Sequence, residues 1–333
     1  MRRLPVFVCV DVSESMAGEA VEALHNGLLL LLQTLKKDPM VIEIGALSVI
    51  SFGNKAKVEV PLSDVIDVRI PDFVLSSGTS LGAAFKLLAS EINSKVVKTT
   101  PDVRGDYKPI IFLITDGQPT DNWQTEFAKF RKNFPSLVIH AVGCGDDVDF
   151  SILSEITPNV YVMDDMTTES FGELFKCVTA SVRSVASSVN AVQEAKDDLT
   201  EWGNDNIRKP TAEECRPLGQ SRQTFVAGMC SRKNRHFLIR YKANGRGSYD
   251  LADVHPLANQ LEGEEMSGGN INIENLNSSG FKCPHCGNAD MFYCRSCNAM
   301  VCKPQNTTHG HCPGCNWEGE LVFENYDVRK NRG

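Results

Sequence analysis

From residue 4 to about residue 190, short apolar runs alternate with longer segments of helical period. A strand that is apolar at every position cannot lie on a sheet with one wet face, so it needs cover on both sides. The strand candidates are PVFVCV, VIEIGALSVISF, KVEVPL, PIIFLIT, LVIHAVG and NVYVM. Between them run EAVEALHNGLLLLLQTLKK, SLGAAFKLLASEINSK, NWQTEFAKFRKNF and FSILSEI, and TESFGELFKCVTASVRSVASSV closes the segment. The pattern predicts an α/β fold with a doubly wound, mostly parallel, Rossmann-like sheet. VIEIGALSVISFGNKAKVEVPL differs, because two strands flank the turn-rich FGNKA. That hairpin predicts one antiparallel edge strand.

Beyond residue 190 the character changes. AVQEAKDDLTEWGNDNIRKPT is polar and reads as a helix tail entering a linker, residues 191–212. TFVAGMCSR and HFLIRYKANG, joined through KNR, predict a small β segment over residues 213–280. A cysteine-rich, β-rich zinc-binding segment over 281–325 follows the turn-rich EMSGGNINIENLNSSG.

Composition narrows the function. The chain is 42% hydrophobic and 23% charged, with a formal net charge of -8. This acidic balance argues against a general nucleic-acid binder, which needs a basic face to neutralise phosphates. MRRLPVFVCV enters a strand at once, with no long apolar stretch and no small-residue cleavage site. The run Leu28 to Leu32 is far shorter than the roughly 20 residues that cross a bilayer. The expectation is a cytoplasmic protein.

The first chemical constellation is made of oxygen. Asp11, Ser13 and Ser15 follow the first strand at alternate positions, so an extended backbone can point all three one way. Thr79 lies in the Gly-rich SSGTSLG before a helix, and Asp116 ends a central strand in PIIFLITDGQPTD. In an open parallel sheet, loops at the carboxyl ends of strands gather where ligands bind. Two carboxylates and three hydroxyls form a hard donor set suited to Mg²⁺ or Mn²⁺. The competing reading makes Ser13 or Ser15 a helix cap and Asp11 a solvated loop acid.

DVSES, the Thr of SGTSLGAAF, and LITDGQPTD resemble the von Willebrand factor A (VWA) domain and its metal-ion-dependent adhesion site over about residues 1–190. The resemblance implies direct contact of Ser13, Ser15 and Thr79 with the ion, with Asp11 and Asp116 acting more often through water. It also implies a binding module in which a partner's Asp or Glu completes the ion's shell. Glu14 departs from the glycine that many family members carry, which adds a charge without removing a ligand.

The second constellation is made of sulfur. Of 12 cysteines, seven lie between Cys283 and Cys315. Three CxxC pairs within so short a stretch of a cytosolic chain point to zinc rather than disulfides. Cys283, Cys286, Cys312 and Cys315 are the favoured set for one closed structural zinc ribbon. Cys294, Cys297 and Cys302, with His309 or His311, remain as the set for a second zinc. Cys9 and Cys144 lie in apolar strands as small core residues.

Segment order over nearly the whole chain, with MRRLPVFVCVDVSESM and CPHCGN, resembles the TerY-like proteins of bacterial tellurium-resistance and stress operons. That resemblance implies a non-enzymatic cytosolic adaptor beside a Ser/Thr kinase and a metal-dependent protein phosphatase. Two other classes stay open. One is a metal-dependent hydrolase at Asp11 and Asp116, although no base or nucleophile accompanies those loops. The other is a scaffold subunit of a transcription or repair complex.

Lesser features have ordinary readings. His140 fits a strand histidine and Trp123 either packing or a partner anchor, while Arg232, Lys233, Asn234 and Arg235 fit a solvated hairpin turn. Asp146, Asp147 and Asp149 fit a turn followed by the cap of FSILSEI.

Overall fold

A computed structural model describes residues 2–145, 147–188, 206–218, 222–258, 270–297, 299–321 and 327–329. Its contacts divide the chain into two units. The first holds Met1–Val12, Glu19–Val74 and Thr79–Gly219, and the second Ser13–Gly18, Leu75–Gly78 and Gln220–Gly333.

The first unit is built on a seven-stranded sheet. Its strands are β1 (Leu4–Asp11), β2 (Gly45–Phe52), β3 (Ala56–Asp64), β4 (Ile110–Thr115), β5 (Val138–Cys144), β6 (Val160–Met163) and β7 (Ile207–Arg208). Their spatial order is β3-β2-β1-β4-β5-β6-β7. Neighbours from β2 to β6 pair in parallel. Every residue of β1, β2 and β4 is buried, as continuous apolar runs require. The helices are α1 (Glu19–Leu35), α2 (Pro39–Ile44), α3 (Leu81–Lys95), α4 (Trp123–Asn133), α5 (Phe150–Ile156) and α6 (Thr168–Ser188). One core cluster joins Phe7, Ile50 and Leu113 of the sheet to Phe85, Phe130 and Phe150 of the helices.

The expected hairpin forms, with β3 antiparallel to β2 at the sheet edge. It starts later than expected, because VIEI belongs to α2. Asp38 accepts the Met40 and Val41 N–H groups at 3.0 and 3.3 Å, and Pro39 takes the first helical position. An N-cap followed by proline sets a helix start that outweighs the apolar run. The opposite edge is also antiparallel, since β7 pairs with β6. Part of the expected linker is therefore sheet, and its residues 191–205 lie outside the described residues.

Leu28, Leu31 and Leu32 are buried on α1 while Leu30 is 38% exposed, so LLLLL winds round an amphipathic helix that buries one face. Among the described residues no helix is long and apolar enough to cross a membrane. Trp123 is 4% exposed, its ring tilted 47° to that of Phe127 with centroids 6.1 Å apart, which makes it a core residue. His140 is fully buried in β5, its ring stacked 5.1 Å from that of Phe112.

The second unit carries β8 (Gln223–Met229), β9 (His236–Ala243), β10 (Tyr249–Pro256), β11 (Asn270–Asn272), β12 (Leu276–Asn277), β13 (Asp290–Cys294), β14 (Ala299–Lys303), β15 (His309–Cys312), β16 (Trp317–Glu320) and β17 (Asp327–Arg329). Six of them form one sheet in the order β12-β10-β9-β8-β14-β13. β14 pairs in parallel with β8, Met300 opposite Gly228 and Val301 opposite Met229. The β segment and the cysteine-rich segment therefore share a sheet across the boundary expected at residue 281. β8 and β9 turn at Arg232–Arg235, where Asn234 takes a left-handed φ of 48°.

Gly228 shows how tightly this sheet is packed. A Cβ placed there would lie 2.2 Å from the ring of Phe237, which is fully buried. Gly228→Ala should cost roughly 1–3 kcal/mol of overpacking, more than the reduced freedom of the unfolded chain returns. Urea denaturation should show a lowered midpoint, and an unchanged midpoint would mean that Phe237 has room to move.

Candidate metal centres

In the first unit the strand order reverses at β1, which has β2 on one side and β4 on the other. That is the switch point outside which open α/β sheets bind ligands. Asp11 ends β1, Asp116 directly follows β4, and the register sets Val10 opposite Ile114. Asp11, Asp116 and Thr79 are 1%, 3% and 1% exposed. Asp11 is not the solvated loop acid of the capping reading. Its Oδ2 accepts the Thr115 hydroxyl at 2.5 Å, a buried bond that sets the orientation of the carboxylate.

Thr79 is held by its backbone. Its N–H donates to Thr120 Oγ1 at 3.0 Å, and the Thr120 N–H donates back to its carbonyl at 2.9 Å. Its side-chain Oγ1 is buried and has no hydrogen-bond partner. Buried hydroxyls rarely stay unsatisfied, and a cation would satisfy this one. Asp121, the second acid of TDGQPTD, caps α3 by accepting the Gly82 and Ala83 N–H groups at 3.1 and 3.1 Å. Cys144 closes β5, where burial first, and then the charges of Asp116 and Asp11, push its thiol well up. It is a neutral core thiol, as its apolar strand suggested.

In the second unit Ser13 precedes a single 3-10 turn, Glu14–Met16, and its side chain makes no capping hydrogen bond. The Ser13 and Ser15 hydroxyl oxygens lie 2.9 Å apart and are buried. Adjacent vertices of an octahedron with metal–oxygen bonds of about 2.0–2.1 Å are separated by about 2.9 Å. The two hydroxyls hydrogen-bond to each other at this distance, which is also the spacing of two neighbouring ligands. Glu14, at 0% exposure, accepts the Gly78 N–H at 2.7 Å and ties the DVSES loop to the SSG loop. Gly78 has φ 72°, a conformation that favours glycine. Sequence reasoning marked Glu14 only as an added charge; Thr115 and Thr120 were missed, because a hydroxyl that orients a ligand carries no spacing signature.

The cysteines form two sets of four, each with sulfurs within 4.8 Å of one another: Cys230, Cys283, Cys286 and Cys302, then Cys294, Cys297, Cys312 and Cys315. Close pairs are Cys286 to Cys302 at 3.6 Å, Cys294 to Cys315 at 3.5 Å and Cys297 to Cys312 at 3.5 Å. Sulfur atoms on a tetrahedral zinc, at about 2.3 Å each, stand about 3.8 Å apart. Both sets fit a closed zinc site of four thiolates.

This grouping corrects the expected ligand sets. Cys283 and Cys286 join Cys230 and Cys302, whereas Cys312 and Cys315 join Cys294 and Cys297. The reason lies in the sheet, where β14 pairs with β8 and so brings Cys302 to the end of β8, which Cys230 directly follows. His309 and His311 are not ligands. They are exposed on β15, facing Glu320 at 4.0 Å and Glu318 at 3.0 Å across the hairpin. The missed ligand, Cys230, had one signal, since seven clustered cysteines leave two four-cysteine sites one short.

The knuckles are shaped for thiolates. The Gly287 N–H donates to the Cys283 carbonyl at 2.9 Å with Gly287 at φ 76°, and Asn316 after Cys315 is at φ 57°. Burial raises the thiols of Cys230 and Cys294, but the N–H groups of Arg232 and Lys233 around the first, and of Cys297 and Ser296 around the second, with neighbouring thiols, bring each below the ordinary value. Burial pushes Cys283 and Cys297 up. Asp149 caps α5 by accepting the Ser151 N–H at 3.0 Å, and Asp147 is buried. Asp146 lies outside the described residues.

The profile of the von Willebrand factor type A domain matches residues 6–176, just over half of the 333-residue chain. The chain belongs to the von Willebrand factor type A domain family. Its domain is of a kind commonly used as a protein-interaction module. Among solved structures, proximal thread matrix protein 1 from the mussel byssus is 17% identical, at a TM-score of 0.41, with 55% of this chain and 48% of that one covered. The form of that protein with a zinc-occupied MIDAS motif gives 16%, 0.42, 55% and 48%. A von Willebrand factor type A protein from Catenulispora acidiphila gives 17%, 0.41, 55% and 43%. This chain thus spans about half the length of each of these three structures.

Metal content tests the grouping. Cys230→Ser should lower tightly bound zinc by one equivalent, measured by elemental analysis of the purified full-length protein. His309→Ala with His311→Ala should leave zinc content unchanged. The reverse pattern would restore the histidine-containing set.

Proposed function

We propose that this chain is a non-enzymatic cytosolic adaptor that binds protein partners through a Mg²⁺ or Mn²⁺ ion held by Asp11, Ser13, Ser15, Thr79 and Asp116. By the resemblance, Ser13, Ser15 and Thr79 would contact the ion directly, and Asp11 and Asp116 would more often act through water. The observation that carries this reading is Thr79 Oγ1, a buried hydroxyl without a hydrogen-bond partner on the Gly-rich loop of a VWA domain. The 2.9 Å spacing of the two serine hydroxyls supports it.

The direct ligands are neutral, so the ion keeps much of its positive charge. A carboxylate from a partner's Asp or Glu would be attracted to an open coordination position, and that contact would vanish with the ion. The four-cysteine sets, closed to substrate, supply structure rather than chemistry. The resemblance to TerY-like proteins supports a Ser/Thr kinase and a metal-dependent protein phosphatase as partners, in a response to tellurite or related chemical stress.

Pull-downs from a native lysate test this reading. Recovery of the partner by the wild-type chain should rise several-fold when Mg²⁺ is supplied. Asp11→Ala and Thr79→Ala should abolish the increase while circular dichroism stays unchanged. Point variants are preferable to a chelator, which would also strip zinc. Equal recovery by wild type and both variants, with and without Mg²⁺, would overturn the proposal.

A further inference from the structure

The two cysteine sets differ in their surroundings. In the first, Cys230, Cys283 and Cys302 are buried and Cys286 is half-buried. These sulfurs belong to a core with Phe237, Ile239, Phe281 and Met300. Cys302 Sγ also accepts the Ser231 N–H at 3.3 Å and the Asn288 side-chain amide at 3.5 Å. A metal there would pin the end of β8 to β14 and to the 283–286 knuckle, within the six-stranded sheet.

In the second set Cys294 and Cys312 are buried, but Cys297 and Cys315 are exposed. The apolar support is smaller: Phe292, Val301 and partly buried Trp317 are among its members. This set joins the β13–β14 hairpin to the β15–β16 hairpin, whose two strands pair only with each other among the described residues. Losing this metal would free a peripheral hairpin and leave the six-stranded sheet its own hydrogen bonds.

Thiolates oxidise according to exposure and thiolate character, and zinc keeps its ligands as thiolates. We propose that Cys294, Cys297, Cys312 and Cys315 form an oxidant-responsive modification site, at which hydrogen peroxide releases one zinc ion and unlatches the 309–320 hairpin. The exposed thiolate of Cys297 or Cys315 attacks a peroxide oxygen. The O–O bond breaks, hydroxide leaves, and a sulfenic acid forms. Its close neighbour, Cys312 for Cys297 and Cys294 for Cys315, each at 3.5 Å, attacks that sulfur. The S–S bond forms as the S–O bond breaks. Two thiolates give up two electrons, and the peroxide, with two protons from solvent, becomes two waters. Zinc departs because a disulfide cannot ligate it as thiolates do. Thiol reductant and free zinc reverse the change.

The test uses full-length protein loaded with two equivalents of zinc, in excess Mg²⁺, exposed to hydrogen peroxide. Released zinc is followed with a chromogenic chelator, and cysteines are mapped by mass spectrometry after alkylation. One equivalent should be released while the other stays bound. Disulfides should join Cys297 to Cys312 and Cys294 to Cys315, and Cys230, Cys283, Cys286 and Cys302 should be alkylated only after denaturation. The double variant Cys297→Ser, Cys315→Ser should hold one equivalent and release none on the same exposure. Release of both equivalents together, release of none, or first oxidation in the Cys230 set would overturn the proposal. If the double variant does not fold, the wild-type disulfide map still decides.

Discussion

A carboxylate removed from water is costly unless the surroundings replace its hydration. Asp11 is 1% exposed at the end of a strand whose every residue is buried, and much of the first unit answers that constraint. The Thr115 hydroxyl on the adjacent β4 supplies one hydrogen bond. The parallel pairing of β1 with β4 makes that contact possible, and Thr115 in turn precedes Asp116. A sheet that sets two acids at its switch point, one oriented by a hydroxyl, concentrates negative charge where a divalent cation would offset it.

The second unit answers a different constraint. Its apolar core is modest, and small β units seldom gather enough buried area to be stable alone. Thiolate ligation can supply what area does not, on the order of 10–16 kcal/mol of apparent zinc binding. Such a bond acts over long sequence separations. Cys230 and Cys283 stand 53 positions apart in number, yet one ion would hold the β8–β9 hairpin and the CPHCG knuckle together. Cys230 sits at a turn whose Asn234 adopts a left-handed φ, so the hairpin and the ligand share one local geometry.

The legible parts of the chain were those written in local pattern. Continuous apolar runs gave β1, β4, β5 and β6, and the FGNKA turn gave the β2–β3 hairpin. Where two local signals competed, the capping chemistry of Asp38 and Pro39 outweighed the β-branched VIEI, and a helix formed. The two-residue β7 was hidden because so short a strand has no period. Asp11, Ser13, Ser15, Thr79 and Asp116 stood out in the sequence because their loops carry distinctive spacings, and the structure sets Asp11 at the end of β1 and Asp116 directly after β4. The cysteine pairing was not, because CxxC spacing names knuckles and never says which knuckles meet. That is decided by the parallel pairing of β14 with β8, a contact between segments about 70 residues apart that no local pattern encodes.

Ligand softness would let both kinds of metal chemistry coexist in one chain. Four thiolates bind zinc far better than they bind a hard ion, whereas hydroxyls and carboxylates suit Mg²⁺ and Mn²⁺. The two four-cysteine sets, being both polarizable and highly charged, would fill with zinc first and persist. The oxygen-donor loops, with neutral hydroxyls as direct ligands, would exchange their ion with the medium. Permanence would then belong to the four-cysteine sites, and reversibility to the site proposed to meet a partner. The exposure of Cys297 and Cys315 is the exception within the permanent class. It places the more solvent-exposed of the two cysteine sets where the edge of the main sheet, at β13–β14, meets a hairpin whose strands pair only with each other among the described residues.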